Sequence, residues 1–289
     1  LAKYPELGRA STISIADYKE NGITDIELNL DDYKNVNLIK FVGGEPMIHP
    51  KFMPMLDFLI EHGLHEQMQI QVFTNASWVP KKRITDRLAQ FKNVTISLSI
   101  DGVKEVNDYS RYPSKWDIVE ESARKWVAMG RDIECVNVRI EPTLSIYNAL
   151  TIVDLIKWWI ELSMEVRDKP FHEAIYNDYL EDINIILNSI HEPTYLSPNI
   201  LPAKSIPNER INEYIVDMKR MYWIEENDKA KNMVKGLRSI LVEIKAHINA
   251  DAEPNKLKSF IKFSGTLDIR RNNNIKSELP ELWDIVTAG

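Results

Sequence analysis

The sequence predicts an α/β fold carried by a parallel sheet, followed by an all-helical C-terminal region. Two observations predict it. Between residues 38 and 202 apolar strand patterns alternate with helix patterns, and after about residue 203 only helix patterns remain. Strands separated by helices imply βαβ units with right-handed crossovers. The chain has 289 residues, a size that suits either two domains or one α/β barrel.

The strand candidates are 37–42, 68–74, 94–100, 135–143 and 194–200. Val94, Ile96, Leu98 and Ile100 alternate with Thr95, Ser97 and Ser99, and Val136, Val138 and Ile140 show the same period of two. Helices are expected over 50–63, 80–90, 115–129 and 149–164. Phe52, Met55, Leu56 and Leu59 form one apolar stripe at helical spacing, and Ile118, Ala123 and Val127 form another. Residues 165–193 read as an acidic, mostly helical insertion. Helices over 207–224, 227–248 and 254–268 follow, punctuated by Pro202, Pro207 and Pro254. The expected units are thus 1–203, the α/β part, and 204–289, the helical part, which packs on the α/β part or forms a small appendage.

Composition narrows the function classes. A net charge of −7 argues against non-specific nucleic-acid binding. Cys135 is the single cysteine, so no internal disulfide forms, and a reducing, cytoplasmic setting is the simple inference. The most apolar stretch, 152–166, is interrupted by Asp154, Lys157, Glu161 and Glu165 and reads as a helix of a globular protein rather than a membrane span. The N-terminus lacks a signal-peptide layout and an initiator Met.

Four strand exits carry polar residues. They are Gly43-Gly44-Glu45-Pro46, Thr74-Asn75-Ala76-Ser77, Ser97 through Gly102 with Asn107, Tyr109 and Arg111 behind it, and Arg139 through Ser145. Ligands of α/β proteins gather at the C-terminal ends of strands, so four such exits point to one shared site. The paired glycines let a ligand approach backbone, and Pro46 stiffens their turn.

The order GGEP, TNAS, SIDG, then Arg111, resembles the radical SAM superfamily, and more narrowly its twitch-domain (SPASM/twitch-type) proteins. The segment from Ser99 to Ser114 with Trp116 carries it most densely, with support from Leu144-Ser145-Ile146-Tyr147-Asn148, Ile200-Leu201-Pro202, Leu267-Asp268 and Pro280-Glu281-Leu282. The resemblance implies a partial (β/α)6, TIM-like barrel. It also implies an enzyme that cleaves S-adenosylmethionine reductively at a [4Fe-4S] cluster, giving a 5′-deoxyadenosyl radical for hydrogen abstraction. A peptide or protein substrate is the implied class. The small-molecule partner is S-adenosylmethionine itself, with no nucleic acid and no membrane. Gly43, Gly44, Glu45 and Pro46 would then meet the methionyl ammonium, and Ser99 and Arg111 the carboxylate. Asn75 would reach the ribose or the methionyl group, Thr143 and Ser145 the ribose, and Leu201 the adenine.

The chain departs from the family in one respect. The superfamily holds its cluster with CxxxCxxC after the first barrel strand, and this sequence has neither that motif nor that strand. The expectation is that both lie upstream of Leu1 in a longer protein, so that the cluster ligands are not in this chain and the chain by itself is not catalytically competent. Two other readings stay open: a cluster-free barrel serving as a binding or partner protein, and an unrelated barrel enzyme using Glu45, Asp101 and Glu141 in acid–base roles.

Several residues have a plainer reading. Asp101-Gly102 fits an ordinary turn, and Ser77 or Asn75 could cap the next helix. Arg111 could pair with a helix acid and Glu141 with Arg139. His62 and His65 suit a helix end, Trp158-Trp159 a helix core, and Cys135 a buried apolar position; none of the six histidines falls at metal-ligand spacing.

Overall fold

The computed structural model describes residues 30–166, 184–202, 212–213, 216 and 254–288. A short helix α1 (Leu30–Tyr33) precedes strand β1 (Leu38–Phe41), which leads through a Pro46–Ile48 turn into α2 (Phe52–Glu61). Next come β2 (Gln69–Thr74), α3 (Lys82–Leu88), β3 (Asn93–Leu98), α4 (Glu105–Ser110), α5 (Trp116–Asp132), β4 (Val136–Ile140), β5 (Thr143–Leu144) and α6 (Ile152–Val166). Two-residue strands β6 (Asn184–Ile185) and β7 (Asn188–Ser189) follow, and the described chain closes with α7 (Pro254–Arg271), α8 (Ile275–Glu278) and α9 (Pro280–Thr287).

The fold is mixed α/β around a parallel sheet in the order β1-β2-β3-β4-β6. Register is set by apolar rows: Ile70 pairs with Val94 and Val94 with Val136, while Val72 pairs with Ile96 and Ile96 with Val138. These side chains share one buried cluster with Phe52, Leu56 and Leu59 of α2, Ile84 and Leu88 of α3, and Val119, Ala123 and Trp126 of α5. Most of the alternate positions, Phe73 excepted, are polar. Gln71 donates to the Ser97 hydroxyl at 3.3 Å, and Arg139 Nε donates to the same hydroxyl at 3.1 Å. One side chain thus satisfies both strand neighbours on that face.

Several sequence-based boundaries are corrected. Residues 194–200 form two short 3₁₀ turns, Thr194–Leu196 and Pro198–Ile200, instead of a strand. Pro193 and Pro198 supply fixed φ and lack the N–H a ladder needs. The fifth sheet position is taken by β6, inside the segment expected to be helical. The 135–143 strand divides at Pro142 into β4 and β5, and β5 pairs with β7 apart from the main sheet. The helix expected over 254–268 runs to Arg271, and those expected over 207–224 and 227–248 lie almost wholly outside the described residues.

Residues 254–288 join the same core through Leu257, Phe260, Ile275, Leu282 and Val286. They grip α4 directly. The Tyr109 hydroxyl donates to Asp268 Oδ1 at 2.9 Å, Arg271 Nη1 donates to the Tyr109 carbonyl at 3.0 Å, and the Arg271 guanidinium lies 5.2 Å from the centre of the Tyr112 ring. No described helix is long and apolar enough to cross a membrane.

Candidate functional site at the strand exits

The four polar exits meet on one side of the sheet, joined by an unbroken chain of hydrogen bonds. Glu45, after β1, accepts from the Thr74 hydroxyl at 2.8 Å and from the Asn75 backbone N–H at 3.0 Å, both after β2. The Asn75 amide donates to the Gly44 carbonyl at 2.8 Å, and its oxygen accepts from Arg111 Nη1 at 2.9 Å. Arg111, just past α4, holds Asp101 with two prongs, Nε to Oδ2 at 2.7 Å and Nη2 to Oδ1 at 3.1 Å. Asp101, after β3, also accepts from the Thr143 backbone N–H at 2.8 Å. Asn148 closes the chain, donating to the Asp101 carbonyl at 2.7 Å and accepting from the Ser145 N–H at 2.8 Å.

Glu45 is the exceptional member. Its Oε2 takes both bonds, and its Oε1 is buried without a hydrogen-bond partner among the described residues. Burial pushes its carboxyl above the usual carboxylate range, and the donors from Thr74, Asn75 and the nearby Trp78 offset that only in part. The Trp78 indole lies close enough to act as a weak donor to this charge, although its N–H makes no hydrogen bond of good geometry among the described residues. An unpartnered buried acceptor is costly in an empty protein and is a natural seat for a donor cation.

Two cavities flank this chain. One, about 510 Å³, is lined by the whole turn Gly43 to Pro46 together with Phe41, Phe52 and Met55. Gly43 has φ +125°, a backbone that L side chains rarely adopt, so the turn depends on glycine there. The other, about 490 Å³, is lined by Asn75, Asp101, Arg111, Ser114 and Lys115. The Gly44–Asn75 hydrogen bond joins residues that line the two.

The remaining expected residues are less open. Ser99 is half-buried and spends its N–H on the Thr74 carbonyl at 2.8 Å. Thr143 is half-buried beside Asp101. Ser145 is buried, its hydroxyl 3.4 Å from Asn148 Oδ1, and Leu201 is fully buried. None of these four lines either cavity. Thr74 and Asn148 are joints of the network that residue type alone did not single out, and Asp101, expected as a turn residue or an acid–base group, is its junction; the signal of all three was position near a strand exit.

The plainer readings divide. Neither Asn75 nor Ser77 caps the next helix, which begins after Lys81 without a side-chain cap. His62 Nδ1 donates to the Phe58 carbonyl at 2.8 Å, at the end of α2. Trp159 is fully buried, and the Trp158 indole donates to Glu120. Glu141 is paired with Arg139, Nε to Oε1 at 2.7 Å. Cys135 is only half-buried, since it precedes β4 at the sheet's opposite end, where its thiol lies 3.6 Å from the Ala89 carbonyl. Burial raises the pKa of that thiol, which disfavours the thiolate a metal requires. Among the described residues no group of three His, Cys, Asp or Glu side chains is placed to hold a metal ion.

No family model matches the chain, and no curated protein matches it. Among solved structures, the crystal structure of Streptococcus suis SuiB bound to S-adenosylmethionine is similar at 16% identity and a TM-score of 0.36. The likeness covers 57% of this chain and 41% of that one. A superposition this loose fixes neither the barrel nor the ligand of this chain.

Proposed function

We propose that the strand-exit face binds S-adenosylmethionine. The observation that carries this reading is Glu45, whose buried Oε1 has no donor among the described residues and which lines, with Gly43 and Gly44, the cavity of about 510 Å³. The methionyl ammonium would donate to Oε1, and a carboxylate placed there favours a cation over a neutral ligand. Arg111 and Asn75 stand on the neighbouring cavity, where the methionyl carboxylate would sit. Ser99, Thr143, Ser145 and Leu201 serve this reading as supports behind the cavities, reaching the ligand only if the site rearranges.

In the intact protein the proposed activity is that of a radical SAM-type enzyme, with a peptide or protein as substrate class and a cytoplasmic location. When bound, a [4Fe-4S] cluster supplies the electron for sulfonium cleavage. The residues present do not fit that cluster. It needs three thiolates near the methionyl group, and the single cysteine lies at the wrong end of the sheet. Chemistry derived from this chain's own side chains therefore stops at binding, orienting and desolvating the ligand. That same observation favours a second reading, a cluster-free barrel that binds its ligand or a partner without turnover. The acid–base alternative has less support, because Asp101 and Glu141 are both held in ion pairs.

Two experiments decide. Calorimetry under anaerobic conditions should show S-adenosylmethionine binding that Arg111→Ala weakens by roughly 1.5–3 kcal/mol; unchanged affinity would remove Arg111 from the site. Iron and sulfide analysis of the full-length gene product, with detection of 5′-deoxyadenosine, separates the enzyme from the cluster-free binder.

A further inference from the structure

Arg111 is committed on one side before any ligand arrives. A guanidinium has five N–H donors. Nε and Nη2 each give one to Asp101, and Nη1 gives one to Asn75. One N–H on each terminal nitrogen is left uncommitted by these bonds. The guanidinium belongs to the cavity lined by Asn75, Asp101 and Lys115. Asp101 is itself immobilised. It accepts from the Thr143 N–H, its carbonyl accepts from Asn148, and its side chain is 13% exposed. A carboxylate tied by the Thr143 N–H to the next strand exit, on a backbone that Asn148 holds there, cannot follow a mobile arginine, so the arginine must follow it. Its negative charge reduces the pull of Arg111 on anions, and Lys115 on the same wall restores a positive balance.

We propose that Asp101 is the positioning residue for carboxylate recognition, holding the Arg111 guanidinium so that its two free N–H groups present a fixed fork to the α-carboxylate of the ligand. A preset fork loses little side-chain freedom on binding, which converts more of each hydrogen bond into affinity and selectivity. The ligand identity rests on the S-adenosylmethionine reading; the fixing of Arg111 does not.

The test uses the full-length protein under anaerobic conditions, with S-adenosylmethionine and its decarboxylated analogue as probes. The wild type is expected to prefer the carboxylate-bearing ligand by roughly tenfold or more. Asp101→Asn is expected to cut that preference by about fivefold or more while leaving affinity for the analogue within about twofold, and to have no effect when added to Arg111→Ala. In the empty protein, exchange of the Arg111 Nε–H followed by NMR should quicken about tenfold or more in Asp101→Asn. Equal weakening of both ligands reduces Asp101 to a structural tie and overturns the proposal, as does unchanged exchange. A wild type that binds neither probe refutes the S-adenosylmethionine reading, and exchange alone then decides the role of Asp101.

Discussion

Replacing Glu45 by Gln separates charge from shape at the centre of the proposed site. The amide oxygen can still accept from the Thr74 hydroxyl and the Asn75 N–H, which bond one carboxylate oxygen at 2.8 and 3.0 Å. What disappears is the negative charge beside the unpartnered oxygen. A hydrogen bond to a charged acceptor contributes about 1.5–3 kcal/mol and a neutral one about 0.5–1.5. Loss of charge should therefore cost a cationic ligand about 1–2 kcal/mol, or roughly 5- to 30-fold in Kd. The pH profile adds a second check. Glu45 titrates above its ordinary value of 4.5, so wild-type affinity should rise with pH through that raised range. It should fall again as the ligand's α-amino group deprotonates near 7.7–8.0. The Gln variant should keep only the falling limb. Stability of the empty protein runs the other way. With the folded pKa raised, the native state binds more protons than the unfolded one, so the stability contributed by Glu45 is present at low pH and is lost as pH rises from 4.5 through the folded pKa. Calorimetry across pH 5–9 measures the affinity. Equal affinity of the two proteins at neutral pH, or a rising limb retained in Glu45→Gln, would refute the ammonium assignment.

Other perturbations have definite outcomes. Gly102→Ala drives its Cβ into the Val106 side chain and should cost about 1–3 kcal/mol by urea denaturation. Glu141→Ala strands Arg139, whose side chain is 22% exposed, and should cost about 3 kcal/mol in thermal unfolding, while Arg139→Met with Glu141→Leu recovers most of it. Tyr109→Phe removes the donor to Asp268 and should cost about 1–2 kcal/mol, measured by thermal unfolding. Burial pushes the Tyr147 phenol up to about 12, so absorbance titration should find it silent at the pH where exposed tyrosines ionise.

The sheet was readable because its strands keep a strict period of two over buried rows, as Val94, Ile96 and Leu98 do. β6 escaped because a two-residue strand has no period to read, and 194–200 misled because apolar Tyr195, Leu196 and Ile200 suit a 3₁₀ turn as well as a strand. At the site, the strand exits identified the participants Glu45, Asn75 and Arg111. They could not reveal who bonds whom. Asp101 looks like half of a turn pair in sequence; only the approach of Arg111 and Thr143 makes it a junction.

The grip of the last helices on α4 has a consequence for how the protein is made. Tyr109 and its partner Asp268 are separated by 159 positions in the chain. At roughly 5–20 residues per second of synthesis, this interval takes on the order of 8–32 s. During that time the segment bearing Arg111 has been translated while its outer brace has not. The proposed binding face is therefore completed late, by elements translated well after those that carry it, and a nascent chain that has already paired its sheet still lacks that brace.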